Sequence, residues 1–89
     1  MKYVMCYENA ADFAEKAKLH FTAHRARLDE FHAAGTLLMA GPLLDQRGGA
    51  IGIFTSREAA EEFIKDDPFV LNGVVMSWEI REWMEILAP

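Results

Sequence analysis

The rhythm of apolar and polar residues changes from one stretch of the chain to the next, and each change predicts an element. Lys2–Tyr7 is rich in β-formers and apolar on both faces, with Tyr3, Met5 and Tyr7 to one side and Val4 and Cys6 to the other. It reads as a buried strand, broken by Glu8-Asn9. From about Ala11 to Ala34 the residues are helix formers, and Gly35 supplies the stop. Thr36–Leu44 predicts a second strand, placing Leu38 and Ala40 on one face and Leu37, Met39 and Leu43 on the other. Asp45–Gly49 ends in two glycines suited to a hairpin turn, and Ala50–Phe54 is a third strand. Thr55 followed three residues later by Glu58 has the form of a capping box, opening a short helix that ends near Lys65, ahead of Pro68. Val74–Arg81 alternates again, with Met76, Trp78 and Ile80 on one face and Ser77, Glu79 and Arg81 on the other.

The order is βαββαβ, which predicts one α+β domain over residues 1–89 with the ferredoxin-like arrangement: a four-stranded antiparallel sheet carrying two helices on one face. A sheet with water on its other side alternates apolar with polar residues. The first two strands do not, so a partner is expected on the second face, and a homodimer formed through the sheets is the simplest one. Size points the same way. A domain this small buries only roughly 60–65% of the surface its unfolded chain exposes, and oligomerisation supplies more.

Composition narrows the classes of function. Fourteen acidic residues against nine basic ones leave a net charge of −5, the wrong sign for a general nucleic-acid binder. The single cysteine, Cys6, excludes an internal disulfide and suits a reducing compartment. The N-terminal stretch turns polar at Glu8, too soon for a signal peptide, and no apolar run approaches the ~20 residues that span a bilayer. The expectation is a soluble, cytoplasmic chain without a membrane partner.

Two residues stand out as candidates for chemistry. At 100° per residue, Phe13, Ala17, Phe21, Leu28 and Phe31 form one stripe of the first helix, and His24 falls in its middle. A histidine aimed at a sheet needs partners for its ring nitrogens, since an unpaired buried polar group costs ~1–3 kcal/mol. It is either a satisfied core residue or a site. Asp67, in Lys65-Asp66-Asp67-Pro68-Phe69, lies where a helix must end and is stiffened by the proline that follows. It is either a solvated acid or the group that orients an imidazole. His20 and His24 are four apart, but no third ligand accompanies them, so no metal site is expected. His32 lies at the stripe's edge and reads as a surface residue, Cys6 as a small hydrophobe, and Glu79, Glu82 and Glu85 as a solvated face. Gly48-Gly49 precedes no helix, which leaves a phosphate-binding loop and its nucleotide cofactor unsupported.

The strand Tyr3-Val4-Met5, the segment His24-Arg25-Ala26-Arg27-Leu28, Gly35, Ala40-Gly41-Pro42-Leu43, Asp67-Pro68-Phe69 and Gly73 follow one another in an order that resembles the YciI-like (YCII-related) family. The likeness runs from residue 1 to about Trp83. It implies a dimeric α+β barrel, two ferredoxin-like sheets packed face to face, and a His–Asp active site whose matching positions are His24 and Asp67. The family includes a dehydrochlorinase of a chlorinated hydroxyquinol. Many relatives carry an arginine three residues before the histidine, where this chain has Phe21.

Two readings stay open. One is a cofactor-free enzyme acting on a small cyclic or aromatic molecule, a lyase or isomerase, with His24 as acid or base, Asp67 tuning it, and Phe21, Gly41, Pro42 and Phe69 around the substrate. The other is a non-catalytic ligand-binding or dimerisation domain in which the pair is a structural latch. A solvent-connected pocket reaching the imidazole discriminates between them.

Overall fold

Backbone pairing of the β-prone segments builds the centre of the molecule. In the computed structural model, which describes residues 1–89, the elements are β1 (Lys2–Asn9), α1 (Phe13–Ala33), β2 (Leu37–Pro42), β3 (Ala50–Phe54), α2 (Arg57–Lys65), α3 (Pro68–Leu71) and β4 (Val75–Trp83). The strands form one antiparallel sheet in the order β2-β3-β1-β4, the ferredoxin-like topology. Met5 faces Gly52 and Ile80 across the ladder, and Tyr7 faces Ala50 and Trp78. This is the helix-covered face. Met5, Tyr7, Leu37, Phe54, Ala60, Phe63, Ile64 and Val75 make the buried core there. Val4, Cys6, Ile51 and Ile53 share the opposite face, with Glu79 and Arg81 beside Cys6 and Val4.

The second strand departs from simple alternation. The register with β3 slips between Leu37 and Met39, so Leu37 pairs with Phe54 on the core side while Met39 pairs with Ile53 on the open side. The sequence pattern had put Leu37 and Met39 on one face. The bulge at Leu38 inserts one residue and turns Leu37 inward, where it is buried.

Helix ends follow local chemistry. Gly35 takes φ +82°, and the bonds Gly35 N–H to His32 and Thr36 N–H to Phe31 close the C-terminus of α1. The cap of α2 is Ser56 rather than Thr55: its extended backbone precedes Arg57, and its hydroxyl accepts from Ala59 N–H at 3.1 Å. Thr55 is drawn away because its own N–H bonds the Thr36 carbonyl. A third helix, α3, starts at Pro68, which suits a first helical position, with Asp67 as its cap. At the other end of the sheet Glu85 is no free acid. It holds the Met1 amino group at 3.0 Å and Lys2 at 2.8 Å, and the Lys2 bond foremost lowers its carboxyl to about 2.

No helix is long and apolar enough to cross a membrane.

Candidate active site

Asp67 caps α3 with the same carboxylate that organises the site. Its Oδ1 accepts from Phe69 N–H at 3.2 Å, which fixes the side chain relative to the turn. From above, α1 brings the His24 imidazole, whose Nδ1 lies 2.6 Å from that same Oδ1. From below, β1 brings Tyr7, whose hydroxyl donates to Oδ2 at 2.6 Å. The carboxylate is fully buried, with both oxygens occupied by donors. The solvated helix-end acid considered for Asp67 is thereby replaced by a buried helix cap.

This network assigns the imidazole's protons. An acceptor-only carboxylate requires Nδ1–H on His24, which leaves the lone pair on Nε2. Every buried side-chain nitrogen and oxygen has a partner, and Nε2 has none, so Nε2 is accessible. The His24 ring stacks on Phe69 with centroids 3.7 Å apart and planes 4° from parallel, and Phe63 meets it edge-on at 6.4 Å. The ring is therefore clamped on one face and at one nitrogen, with the other nitrogen free.

His24 lines a cleft of about 1190 Å³ between α1 and the sheet. Phe21, Gly41, Pro42 and Phe69 line it together with His24, so the residues singled out around the substrate share one space. The stripe of α1 is not uniformly packed, however. Leu28 and Phe31 reach the core, whereas Phe13 and Phe21 are 41% and 54% exposed over the cleft.

The neighbouring charges are committed elsewhere. Arg25 borders the cleft, with its guanidinium on Asp29 at 3.1 Å. Arg27 donates to the Glu62 and Phe63 carbonyls at 2.6 and 3.0 Å, closing the C-terminus of α2. Neither guanidinium is free to stand in at position 21, where the family resemblance implies an arginine. His32 is a surface residue with a task, since its Nδ1 lies 2.8 Å from the Leu37 carbonyl at the bulge. No cluster of three or more His, Cys, Asp or Glu side chains is disposed to hold a metal ion.

Tyr7 was not picked out by the sequence pattern, which placed it only on a core face. A signal existed: a tyrosine directed inward must find an acceptor for its hydroxyl. Burial first, then the Asp67 charge, pushes the phenol's ionisation above its ordinary range, so Tyr7 remains a donor.

Comparison with known proteins places this geometry in context. The chain is 34% identical over 97 aligned positions to Protein YciI of Escherichia coli O6:H1 (strain CFT073), covering 97% of this chain and 99% of that protein. It matches Protein YciI of Shigella flexneri to the same extent. Among solved structures, 5-chloro-2-hydroxyhydroquinone dehydrochlorinase (TftG) from Burkholderia phenoliruptrix AC1100, in complex with 2,5-dihydroxybenzoquinone, superposes with a TM-score of 0.79 over 94% of both chains. At 19% identity that likeness is one of fold. The YCII-related domain family matches residues 1–84, and with relatives this similar over their full length the chain belongs to that family.

Proposed function

We propose that this chain is a cofactor-free enzyme that moves a proton on a small cyclic or aromatic molecule, with His24 as the acid–base group. The observation that carries the reading is the asymmetry of His24: Nδ1 is held by a buried carboxylate, while Nε2 is unpartnered and accessible on a residue that lines the cleft. In this reading Nε2 takes a proton from a hydroxylated or keto ring. The electron pair left behind either expels a leaving group such as halide or is reprotonated at another carbon. Asp67 stabilises the imidazolium that forms, and Phe69 holds its plane. Phe21, Gly41 and Pro42 serve as walls, the glycine leaving room beside the pair. The hydroxylated quinone bound by the dehydrochlorinase of the same fold supports this class of ligand.

The latch reading draws on the same carboxylate, which ties α1, β1 and α3 together whether or not a substrate exists. Thermal-shift screening with hydroxylated and keto ring compounds, followed by turnover of any stabilising compound, separates the two. Under the enzyme reading His24→Gln folds normally and loses ~10²–10⁴-fold in turnover. Unaltered turnover, or a chain that binds no such compound, leaves the latch.

The assembly proposed is a cytoplasmic homodimer through the open sheet face, where Val4, Cys6, Ile51, Ile53 and Met39 form an apolar centre bordered by Glu79 and Arg81. Burial followed by Glu79 raises the Cys6 thiol, which keeps it a neutral member of that surface. Sedimentation at micromolar concentration is expected to give twice 10.1 kDa. A monomer there excludes the dimer.

A further inference from the structure

We propose that Tyr7 is a positioning residue: by donating to Oδ2 of Asp67 it keeps that carboxylate an acceptor and reserves Nε2 of His24 for the proton taken from a substrate. Asp67 is fully buried and no lysine or arginine pairs with it. Its negative charge is carried by neutral donors, the Tyr7 hydroxyl and the Phe69 N–H, and by His24. Without Tyr7, Oδ2 becomes a buried acceptor with no partner, which is costly for a charged oxygen. A proton then relieves it. A proton on Asp67 would be donated to Nδ1, forcing the ring's own hydrogen to Nε2 and removing the accessible lone pair. That proton would sit on Oδ1, the oxygen facing Nδ1, and Tyr7 disfavours it from Oδ2 by stabilising the shared negative charge of the carboxylate.

The remaining charged and titratable groups near the ring leave this logic intact. Arg25 is on Asp29, Arg27 is on the carbonyls of α2, His32 is on the Leu37 carbonyl, and Asp45 and Arg47 border the cleft from the turn after β2. None of them touches Asp67, and all persist when Tyr7 is changed. Tyr7 and Asp67 lie 60 residues apart in sequence, so only the fold makes them neighbours.

The inference rests on the proposed reading of His24 as a proton-transfer group, and the two fail separately. The decisive variant is Tyr7→Phe, which keeps the ring and deletes the donor. With ¹⁵N-labelled histidine and ¹³C-labelled aspartate, the wild-type pair loaded with one extra proton is expected to show both ring nitrogens of His24 protonated and Asp67 as carboxylate. In Tyr7→Phe a substantial share of the loaded pair should show Asp67 as the acid with Nδ1 unprotonated. Turnover of a ring compound found by thermal shift should fall about 10- to 100-fold, with KM little changed. Identical spectra in the two proteins overturn the role of Tyr7. If Tyr7→Phe does not fold, the wild type alone decides. A low-field Tyr7 hydroxyl proton and a carboxylate Asp67 support the proposal, and an acid Asp67 in the loaded pair overturns it. His24→Gln with full turnover would instead remove the catalytic reading, a result to which the spectra are indifferent.

Discussion

The two halves of α1 obey different rules, although one apolar stripe runs through both. Toward the C-terminus the helix is sewn down. Phe31 meets Phe63 edge-on at 5.2 Å, Arg27 lies over both rings and bonds the end of α2, and His32 bonds β2. Toward the N-terminus Phe13, Ala17 and Phe21 overhang the cleft without a core beneath them. His24 sits at the boundary, tied down at one nitrogen and open at the other. A helix anchored at one end is a way to hold an acid–base group rigidly while leaving space beside it. The same apolar periodicity therefore packs a core in one half and lines an open cleft in the other, which the proposed function reads as recognition, and substitutions in the two halves should have different consequences.

The largest effect is expected at the boundary. Asp67→Ala removes the cap of α3 and the acceptor for both Tyr7 and His24. A lost cap costs about 1 kcal/mol and each orphaned buried donor ~1–3 kcal/mol, so chemical denaturation should show a loss of roughly 3 kcal/mol or more. Asp67→Asn keeps an oxygen and should recover part of it. Equal stability of Asp67→Ala and wild type would mean the carboxylate fixes neither half.

Next is the anchored half. Phe31 packs against the core, and Phe31→Ala is expected to cost ~2–3 kcal/mol, below the 3–5 of a fully enclosed phenylalanine because the residue is only partly buried. Phe21→Ala in the other half should stay within about 0.5 kcal/mol of wild type while weakening ring-ligand binding. Comparable losses at both positions would erase the distinction.

Much of this was legible in the sequence, for reasons that also mark its limits. The period of the Phe13-to-Phe31 stripe aims His24 at the sheet, and Asp67-Pro68 announces a stiff helix boundary. The order of strands and helices gave the topology that the backbone pairing displays. Periodicity names the face of a helix but not how far the sheet extends beneath it, so the exposure of Phe13 and Phe21 was invisible. A one-residue bulge leaves no trace in the alternation of Leu37, Leu38 and Met39, yet it reverses Leu37. Thr55 and Ser56 are equally good caps by type, and the strand pairing of Thr55 decides between them. An inward Tyr7 signals that its hydroxyl needs an acceptor, but which acceptor it meets is set by tertiary structure alone.

The buried phenol gives the boundary a signature at alkaline pH. Its ionisation is pushed upward in the folded chain, by burial first and the Asp67 charge second. A group whose folded pKa is raised contributes stability that is full below its unfolded value and fades as pH climbs toward the folded one. The unfolded phenol ionises near 10, so above about pH 10 Tyr7 should cost the fold ~1.4 kcal/mol per pH unit. Urea midpoints at pH 9, 10 and 11 should show this slope in the wild type. Tyr7→Phe should lack that component, whatever Tyr3 and the lysines contribute to both proteins. Parallel slopes would mean the Tyr7 hydroxyl is solvated, and the boundary at His24 looser than described.

The smallest effect on stability, and the sharpest test of the open half as a recognition wall, is Phe21→Arg. Position 21 is three residues before His24 on the same helix face, borders the cleft, and is 54% exposed, so a guanidinium can stand there in water. Stability should change by no more than about 0.5 kcal/mol. The cleft's other bordering charges come as Arg25 on Asp29 and as Asp45 with Arg47, which leaves little net field of their own. One added cation near the mouth then favours an anionic ring over its neutral isostere. A surface-exposed charge is worth ~0.2–1 kcal/mol, so the ratio of the two dissociation constants should shift only up to about fivefold, and the shift should shrink as salt rises to 0.5 M. A benzoate and benzamide pair of matched substitution, titrated by calorimetry at two salt concentrations, measures that ratio directly. If it stays fixed while Phe21→Ala weakens both ligands, the wall recognises rings by contact alone. If neither variant alters either ligand, the N-terminal half of α1 is not part of the binding surface, and the contrast between the halves is one of packing only.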